Sequence, residues 1–429
     1  MASATMLNTL PASFITCDPS ATWFPDARRS VKNAPEAANE QFRRPRGRES
    51  RDGAHATRRI WLSAENYRKH CRMNKLVCIP VVDVREGGPV RHALDARTRA
   101  RALRDDCVTW LPPPARMLLP AMDALTRRWL QRSYSPYIAE LEAIAATLRF
   151  PGIWFLNGTY QWGCSTVARE QVGVPWLART LDWPFPGLGR HVEIAHMRGP
   201  AGEFINVTWP GYAGTLTACA EGRFAAAINQ APLWRRTRKP WLRPYDLTVN
   251  ALCTWPVRFR PPDHLLREVF ETCQDFGEAK RRLETVPVAR PVIFTLIGCE
   301  RGERCVIERT EEGFASRVED TSTANDWLHS KTPWEARVCA TLLLKSSPEE
   351  ATAHSRARRE ALSSWPQPFG ECDFAWVRPP VLNPFTRMAV EMCAANRTLR
   401  AVGYELERGG ALPERATQMC ELSASRLAA

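Results

Sequence analysis

Residues 162–185 read WGCSTVAREQVGVPWLARTLDWPF. Two apolar runs, CSTVA and PWLART, flank the turn-prone QVGVP, which is the pattern of a β-hairpin. The first strand starts at Cys164, directly after Gly163, and the second ends near Arg179 and Asp182. An antiparallel return carries that arginine and aspartate back toward the start of the first strand. A cysteine attacks only as thiolate, so something close by must lower its pKa or take its proton. Arg179 is placed to stabilise the thiolate. Asp182 is placed to hold and orient a positive charge at the strand start.

The proton acceptor is harder to find. The chain has eight histidines, and none lies near Cys164 in sequence. A second solution is available if the Gly163–Cys164 bond is cut. Cys164 then gains an α-amine with an unperturbed pKa of about 7.7–8.0, close enough to serve as base for its own thiol. A glycine before the cysteine eases access to that bond.

Outward from the hairpin, strand patterns recur at short intervals. HVEIAHM, EFINVTW, TLTACA and RFAAAIN follow it, with VIFTLIG, CVIER, DFAWV and LRAVGYELE further on. Before the hairpin, NKLVCIPVVDV reads as a buried strand and IWFLNGTY as another. Between these two lies a long helical region, roughly 117–148, in which Tyr137, Leu141, Ile144, Ala145 and Leu148 share one face. Further helices are expected over about 264–286, 334–345 and 349–363, and an irregular Trp-, Arg- and Pro-rich segment over 233–262. Strands in clusters with helices grouped between them give an α+β fold. Residues 1–72, with RRPRGRESRDG, lack apolar periodicity and read as a disordered extension or an over-long start before Met73.

Composition limits the function classes. A hydrophobic fraction of 44% with 24% charged residues is that of a globular protein, and no apolar run is long enough to span a bilayer. The 59 Lys+Arg against 46 Asp+Glu give +13, yet the excess is scattered arginine without a nucleic-acid-binding motif, so no nucleic-acid partner is expected. A basic binding protein without chemistry stays open as a third reading. The basic segment Trp234–Arg243 suits either a solvated loop or peripheral contact with an anionic lipid surface. The 14 cysteines contain no CxxC pair, so no metal site is expected, and apart from Cys164 they read as reduced, buried thiols. The N-terminus lacks a secretory pattern, which points to the cytoplasm.

GCSTVA followed by ARTLDW resembles the N-terminal-nucleophile (Ntn) hydrolases of the choloylglycine hydrolase group, in particular its acid ceramidase and N-acylethanolamine acid amidase branch. The likeness continues through YIAELEAIAATL, AEGRFAAAINQAP, GERCVIER, TSTANDWLH and VLNPFTRMAVE, over roughly 117–407. It implies a four-layer αββα sandwich of two stacked, mainly antiparallel sheets. A helical prosegment (73–163) would precede a catalytic domain (164–429). It implies autocleavage between Gly163 and Cys164, with Cys164 as nucleophile and Arg179 and Asp182 beside it. Asn229 would be an oxyanion donor, Asn325 the later asparagine at the cysteine, and Arg337 the second arginine. The implied activity is hydrolysis of a small-molecule linear N-acyl amide through a thioester on Cys164, without cofactor. An acyltransferase using the same site remains open. The Cys164-to-Arg179 interval is one residue shorter than the resemblance implies, which calls for a tighter hairpin.

Overall fold

The computed structural model describes residues 76–159, 163–234, 236–237, 239–319, 321–329, 334–335, 347–407 and 409–423. The expected N-terminal extension, 1–72, lies outside them.

The hairpin forms as two nine-residue strands, β2 (Gly163–Gln171) and β3 (Val174–Asp182). They pair with Gly163 opposite Asp182, Cys164 opposite Leu181 and Thr166 opposite Arg179. Only Val172 and Gly173 join them, both with positive φ (51° and 82°). This tight two-residue loop matches the right-handed strand twist, and it supplies the shortened connection. β3 continues the sheet through β14 (Thr386–Cys393) and β15 (Thr398–Glu405), while β12 (Ser322–Thr323) pairs with the outer edge of β2.

The second sheet has eight strands. At one edge β1 (Val81–Asp83) runs parallel to β4 (Glu193–Gly199). The sheet proceeds antiparallel through β5 (Gly202–Thr208), β6 (Thr217–Ala220), β7 (Phe224–Gln230), β9 (Val292–Ile297), β10 (Arg304–Arg309) and β11 (Phe314–Arg317). β8 (Leu233–Trp234) stands apart, paired with β13 (Trp334–Glu335). The two large sheets stack face to face. Alternation sends Leu177, Leu181, Met388, Val390 and Met392 of one sheet into the same core as Ala225, Ala227, Phe294 and Leu296 of the other. Helices Pro262–Thr272 and Phe276–Thr285 cover the outer face of the eight-stranded sheet, and helix Pro348–Ser363 covers the hairpin sheet. The architecture is the four-layer α+β sandwich expected.

Several local expectations change. IWFLNGTY is a helix, Ile153–Gly158, not a strand. Its fourfold spacing buries Ile153 and Asn157 together, and Gly158 packs where a Cβ would come within 2.2 Å of Thr126. DFAWV is a turn in which Asp373 and Phe374 have positive φ, with Trp376 Nε1 donating to Glu391 Oε1 at 2.8 Å. Its aromatic content reflects a satellite core and not a strand face. The helices expected over 117–148 and 264–286 are each two helices, the second pair divided where Asp275 caps the chain at Glu278. The segment 233–262 contains a helix, Arg243–Thr254, and within it Arg243 is buried while Trp241 remains exposed. The helix expected at 334–345 begins as strand β13, and its remainder lies outside the described residues. Among the described residues two cysteines, Cys78 and Cys253, are disulfide-bonded, against the expectation of reduced thiols, whereas nine others are free. Among the described residues no helix is long and apolar enough to cross a membrane, and no metal-binding cluster occurs.

Val172 is fully exposed, so no packing offsets a β-branched residue in the left-handed region. Replacing it with asparagine gives the Asn-Gly pair favoured in such turns. Val172→Asn is expected to stabilise the fold by about 1 kcal/mol, read as a higher denaturation midpoint.

Candidate functional site

Cys164 is completely buried at the start of β2. Strand alternation turns its side chain inward, between the sheets, where Arg179 from β3 also points. Arg179 Nη2 donates to Cys164 Sγ at 2.9 Å, and its Nη1 is held by the Leu216 carbonyl at 2.9 Å and by Thr217 Oγ1. The thiol itself faces the Ile228 carbonyl at 3.5 Å, and the Gln230 N–H points at the sulfur. No histidine is among these partners. Burial pushes the Cys164 thiol up to about 11, outweighing the opposing pull of Arg179 and Arg358, while Asp182 raises it further. In the uncut chain Cys164 is therefore a protonated, latent thiol at neutral pH.

Asp182 lies on the opposite face of the hairpin from Cys164 Sγ. Its Oδ2 accepts from Asn383 Nδ2 at 2.7 Å and Arg358 Nη1 at 3.3 Å, and its Oδ1 from Thr386 Oγ1 at 2.9 Å. Burial raises its pKa, and Arg358 and the two hydrogen bonds oppose that rise. The backbone between Gly163 and Cys164 runs directly across from it. A Cβ at Gly163 would touch both Asp182 and Asn325 Oδ1 at 3.5 Å, an ordinary contact, so a small side chain fits there and a longer one meets both polar groups.

Asn325 ties the start of β2 to the rest of the site. Its Oδ1 accepts the Cys164 N–H at 3.0 Å and Arg358 Nη2 at 2.9 Å, which fixes the amide so that Nδ2 donates to the Gln230 carbonyl at 2.7 Å. Ser355 holds the same loop: its Oγ accepts the Asn325 N–H at 2.9 Å and donates to Asp326 Oδ1 at 2.6 Å. Asn229, on β7, is buried nearby. Its Oδ1 accepts from Thr166 Oγ1 at 2.5 Å and its Nδ2 donates to the Ala324 carbonyl at 3.0 Å. Asn229 thus directs Nδ2 at two carbonyls, those of Thr323 and Ala324, whereas Asn325 spends one of its two Nδ2 protons on Gln230. The N–H of Gln230 is the donor already directed at the sulfur.

Cys164, Arg179, Asp182, Asn229 and Asn325 thus lie together around the start of β2. Arg337 lies outside the described residues. The guanidinium that reaches Asp182 belongs to Arg358, which sequence reading missed. Arg358 is fully buried, and its Nη1 also donates to the Cys164 carbonyl at 2.7 Å and to Ser165 Oγ at 3.0 Å. It sits on helix Pro348–Ser363, where Ala351, Ser355, Arg358 and Leu362 form the buried stripe. An arginine and a serine on the apolar stripe of a helix were the available signal. The helix starts at a capping box, Ser347 with Glu350, and this fixes its register against β2.

Removing Arg358 leaves the Asp182 carboxylate buried without its cation. Arg358→Met is expected to cost about 3–5 kcal/mol of stability, measured by chemical denaturation. Arg358→Lys recovers only part of this, because one ammonium cannot span the four acceptors that the planar guanidinium reaches.

No family model matches the chain. It is 25% identical over 186 residues to an N-acylethanolamine-hydrolyzing acid amidase of Oryctolagus cuniculus, a match covering 42% of this chain and 49% of that protein. The chain thus spans about half the length of this curated relative. Among solved structures, it is similar to the Caenorhabditis elegans N-acylethanolamine-hydrolyzing acid amidase ortholog. That likeness has 15% identity and a TM-score of 0.41, over 54% of this chain and 93% of that one. It is also similar to the C2A mutant of the conjugated bile acid hydrolase from Clostridium perfringens, with 10% identity and a TM-score of 0.34, over 62% of this chain and 93% of that one. A buried hairpin cysteine flanked by arginine, aspartate and asparagine on two stacked sheets thus stands in a chain that is similar over part of its length to an acid amidase.

Proposed function

We propose that the protein is a self-processing cysteine amidohydrolase that cleaves a small linear N-acyl amide. The observation that carries this reading is the grip on Cys164 from three sides. Arg179 holds its sulfur, Asn325 its N–H and Arg358 its carbonyl.

In the first stage Cys164 Sγ attacks the Gly163 carbonyl carbon, and the peptide bond to the Cys164 nitrogen breaks as that nitrogen takes a proton. Water then hydrolyses the resulting thioester, leaving a Gly163 carboxylate and a free Cys164 α-amine. The new amine keeps the Asn325 Oδ1 acceptor and gains Asp182 as counter-ion. In the second stage this amine accepts the thiol proton while Sγ, beside Arg179, attacks the substrate carbonyl. The proton passes to the departing amine, the acyl group stays on sulfur, and water releases the acid with the α-amine as base. The Gln230 N–H, together with Asn325 or Asn229 once either amide is released, would stabilise the tetrahedral oxyanion by a few kcal/mol, ~3 per donor. The acid amidase relatives favour a fatty-acyl amide as substrate.

Intact-mass analysis of purified wild-type protein is expected to give two fragments, the larger beginning at Cys164, with Cys164→Ala remaining whole. Hydrolysis of fluorogenic N-acyl amides of graded chain length should fall roughly a thousandfold or more in Cys164→Ala. An active wild type that stays a single chain would sink the N-terminal-amine mechanism.

A further inference from the structure

We propose that the turn Asn383-Pro384-Phe385-Thr386 is a positioning device that solvates and aims the Asp182 carboxylate for cleavage and catalysis. This rests on the amidohydrolase reading above and names residues that reading does not use.

The turn is built so that its donors point one way. The Thr386 N–H closes it on the Asn383 carbonyl at 2.9 Å. Asn383 Oδ1 accepts the Phe385 N–H at 3.1 Å, and this fixes the amide orientation so that Nδ2 faces Asp182 Oδ2 at 2.7 Å. Thr386 Oγ1 accepts the Asn383 N–H at 3.0 Å, so its acceptor role is filled and its single proton is free to donate. Two acceptors lie within reach, Asp182 Oδ1 at 2.9 Å and the Val381 carbonyl at 3.5 Å, and the nearer and charged one wins.

A break in strand register delivers the turn. β14 pairs with β3 as Thr386 opposite Asp182 but Met388 opposite Leu181, so Arg387 is an extra residue on one strand. Such a bulge re-aims a side chain that regular pairing would leave elsewhere. The Phe385 carbonyl accepts the Trp183 N–H at 2.7 Å, and Arg387 Nε donates to the Phe185 carbonyl at 2.9 Å, locking the turn to the residues just after Asp182. Both Asn383 and Thr386 are buried.

Counting lone pairs gives the consequence. Asp182 Oδ2 already accepts two hydrogen bonds, from Asn383 and Arg358, and Oδ1 accepts one, from Thr386. A carboxylate oxygen takes about two, so Oδ1 keeps one acceptor site, while Oδ2, the oxygen nearer Gly163, is spent on Asn383 and Arg358 and faces the start of the strand. The charged or titratable groups around Asp182 are Arg358 from the covering helix, Arg179 from its own strand and Cys164 from the paired strand. Asn383 and Thr386 are the neutral groups that favour its ionised form against burial.

The test is the pH dependence of two reactions. Precursor made by cell-free synthesis is incubated from about pH 4 to 9 and autocleavage followed on gels, and mature enzyme is assayed with an N-acyl aminomethylcoumarin amide. Removing either donor weakens the ionised form, so the acid limb of both profiles should move up by about one pH unit in Thr386→Val and Asn383→Ala. Thr386→Ser should restore the wild-type limb. Acid limbs that coincide with wild type, with only the overall rate or the denaturation midpoint lowered, would overturn the proposal. Should Thr386→Val not fold, Thr386→Ala and Asn383→Ser make the same comparison. Asp182→Asn is run alongside. Wild-type cleavage by that variant would count against the amidohydrolase reading itself, whereas an inactive Asp182→Asn beside unmoved Asn383 and Thr386 profiles would remove this inference alone.

Discussion

A buried carboxylate must be solvated by the protein or it gives up its charge. Asp182 has almost no contact with water, and burial alone drives its pKa upward. Four separate parts of the chain answer that demand. β3 carries the carboxylate, the helix Pro348–Ser363 brings the Arg358 guanidinium, and the turn before β14 brings an amide and a hydroxyl. Through the other arm of Arg358 the loop bearing Asn325 joins the same network. These contacts tie the outer helix layer to the hairpin sheet at one point, the start of β2. A buried ion pair adds little net stability by itself. Its effect here is to allow only one relative placement of these elements, because any other leaves a charge unpaired.

The same burial controls the nucleophile. Arg179 favours the thiolate, but the cost of burying an anion beside Asp182 exceeds that gain, and the Cys164 thiol stays protonated in the uncut chain. Were the peptide bond cut as proposed, a new ammonium at the Cys164 nitrogen would add positive charge beside the sulfur and favour ionisation. Latency before such a cleavage and activity after it would then follow from one set of residues. Burial also lowers the Arg179 pKa, and Asp182, together with Cys164 whenever it is a thiolate, opposes that fall.

The hairpin, its register and the approach of Arg179 and Asp182 to the start of the first strand were legible because they follow from short-range pattern, whereas Asn325 was named only through the family resemblance. Alternation and a turn-prone break are local signals, and a two-residue loop fixes every pair behind it. What escaped notice depends on tertiary context. Arg358 sits in AHSRARRE, a run whose arginines look solvated, and only the spacing of Ala351, Ser355 and Leu362 marks the buried face. IWFLNG has the apolar content of a strand, yet Asn157 at helical spacing from Ile153 finds its partners in the Gly211 carbonyl and the Ala213 N–H, far along the chain. The DFAWV segment went wrong for the opposite reason, since strong strand formers were recruited into a turn around Glu391. The net positive charge misled in a smaller way. Arg179, Arg243, Arg309 and Arg358 are among the largest fully buried side chains, so part of the cationic excess neutralises the interior and forms no surface stripe.

Strand geometry also explains why a main-chain amine suits this site better than a side-chain base. Successive residues of a strand point to opposite faces, so Cys164 Sγ lies between the sheets while Asp182 and Arg358 meet on the other side of the hairpin. A histidine placed to reach the sulfur would have to stand in the inter-sheet core among Leu177, Leu181 and Phe294, where the Leu216 carbonyl and Thr217 hydroxyl are already taken by Arg179. The nitrogen of Cys164 belongs to neither face. It lies in the plane of the sheet at the strand end, three bonds from its own sulfur, and its N–H donates to Asn325 Oδ1. Freed by the proposed cleavage, it would connect the anionic side of the hairpin to the side that holds the thiol. That linkage would require the strand to begin at Cys164, as a cut after Gly163 would make it do.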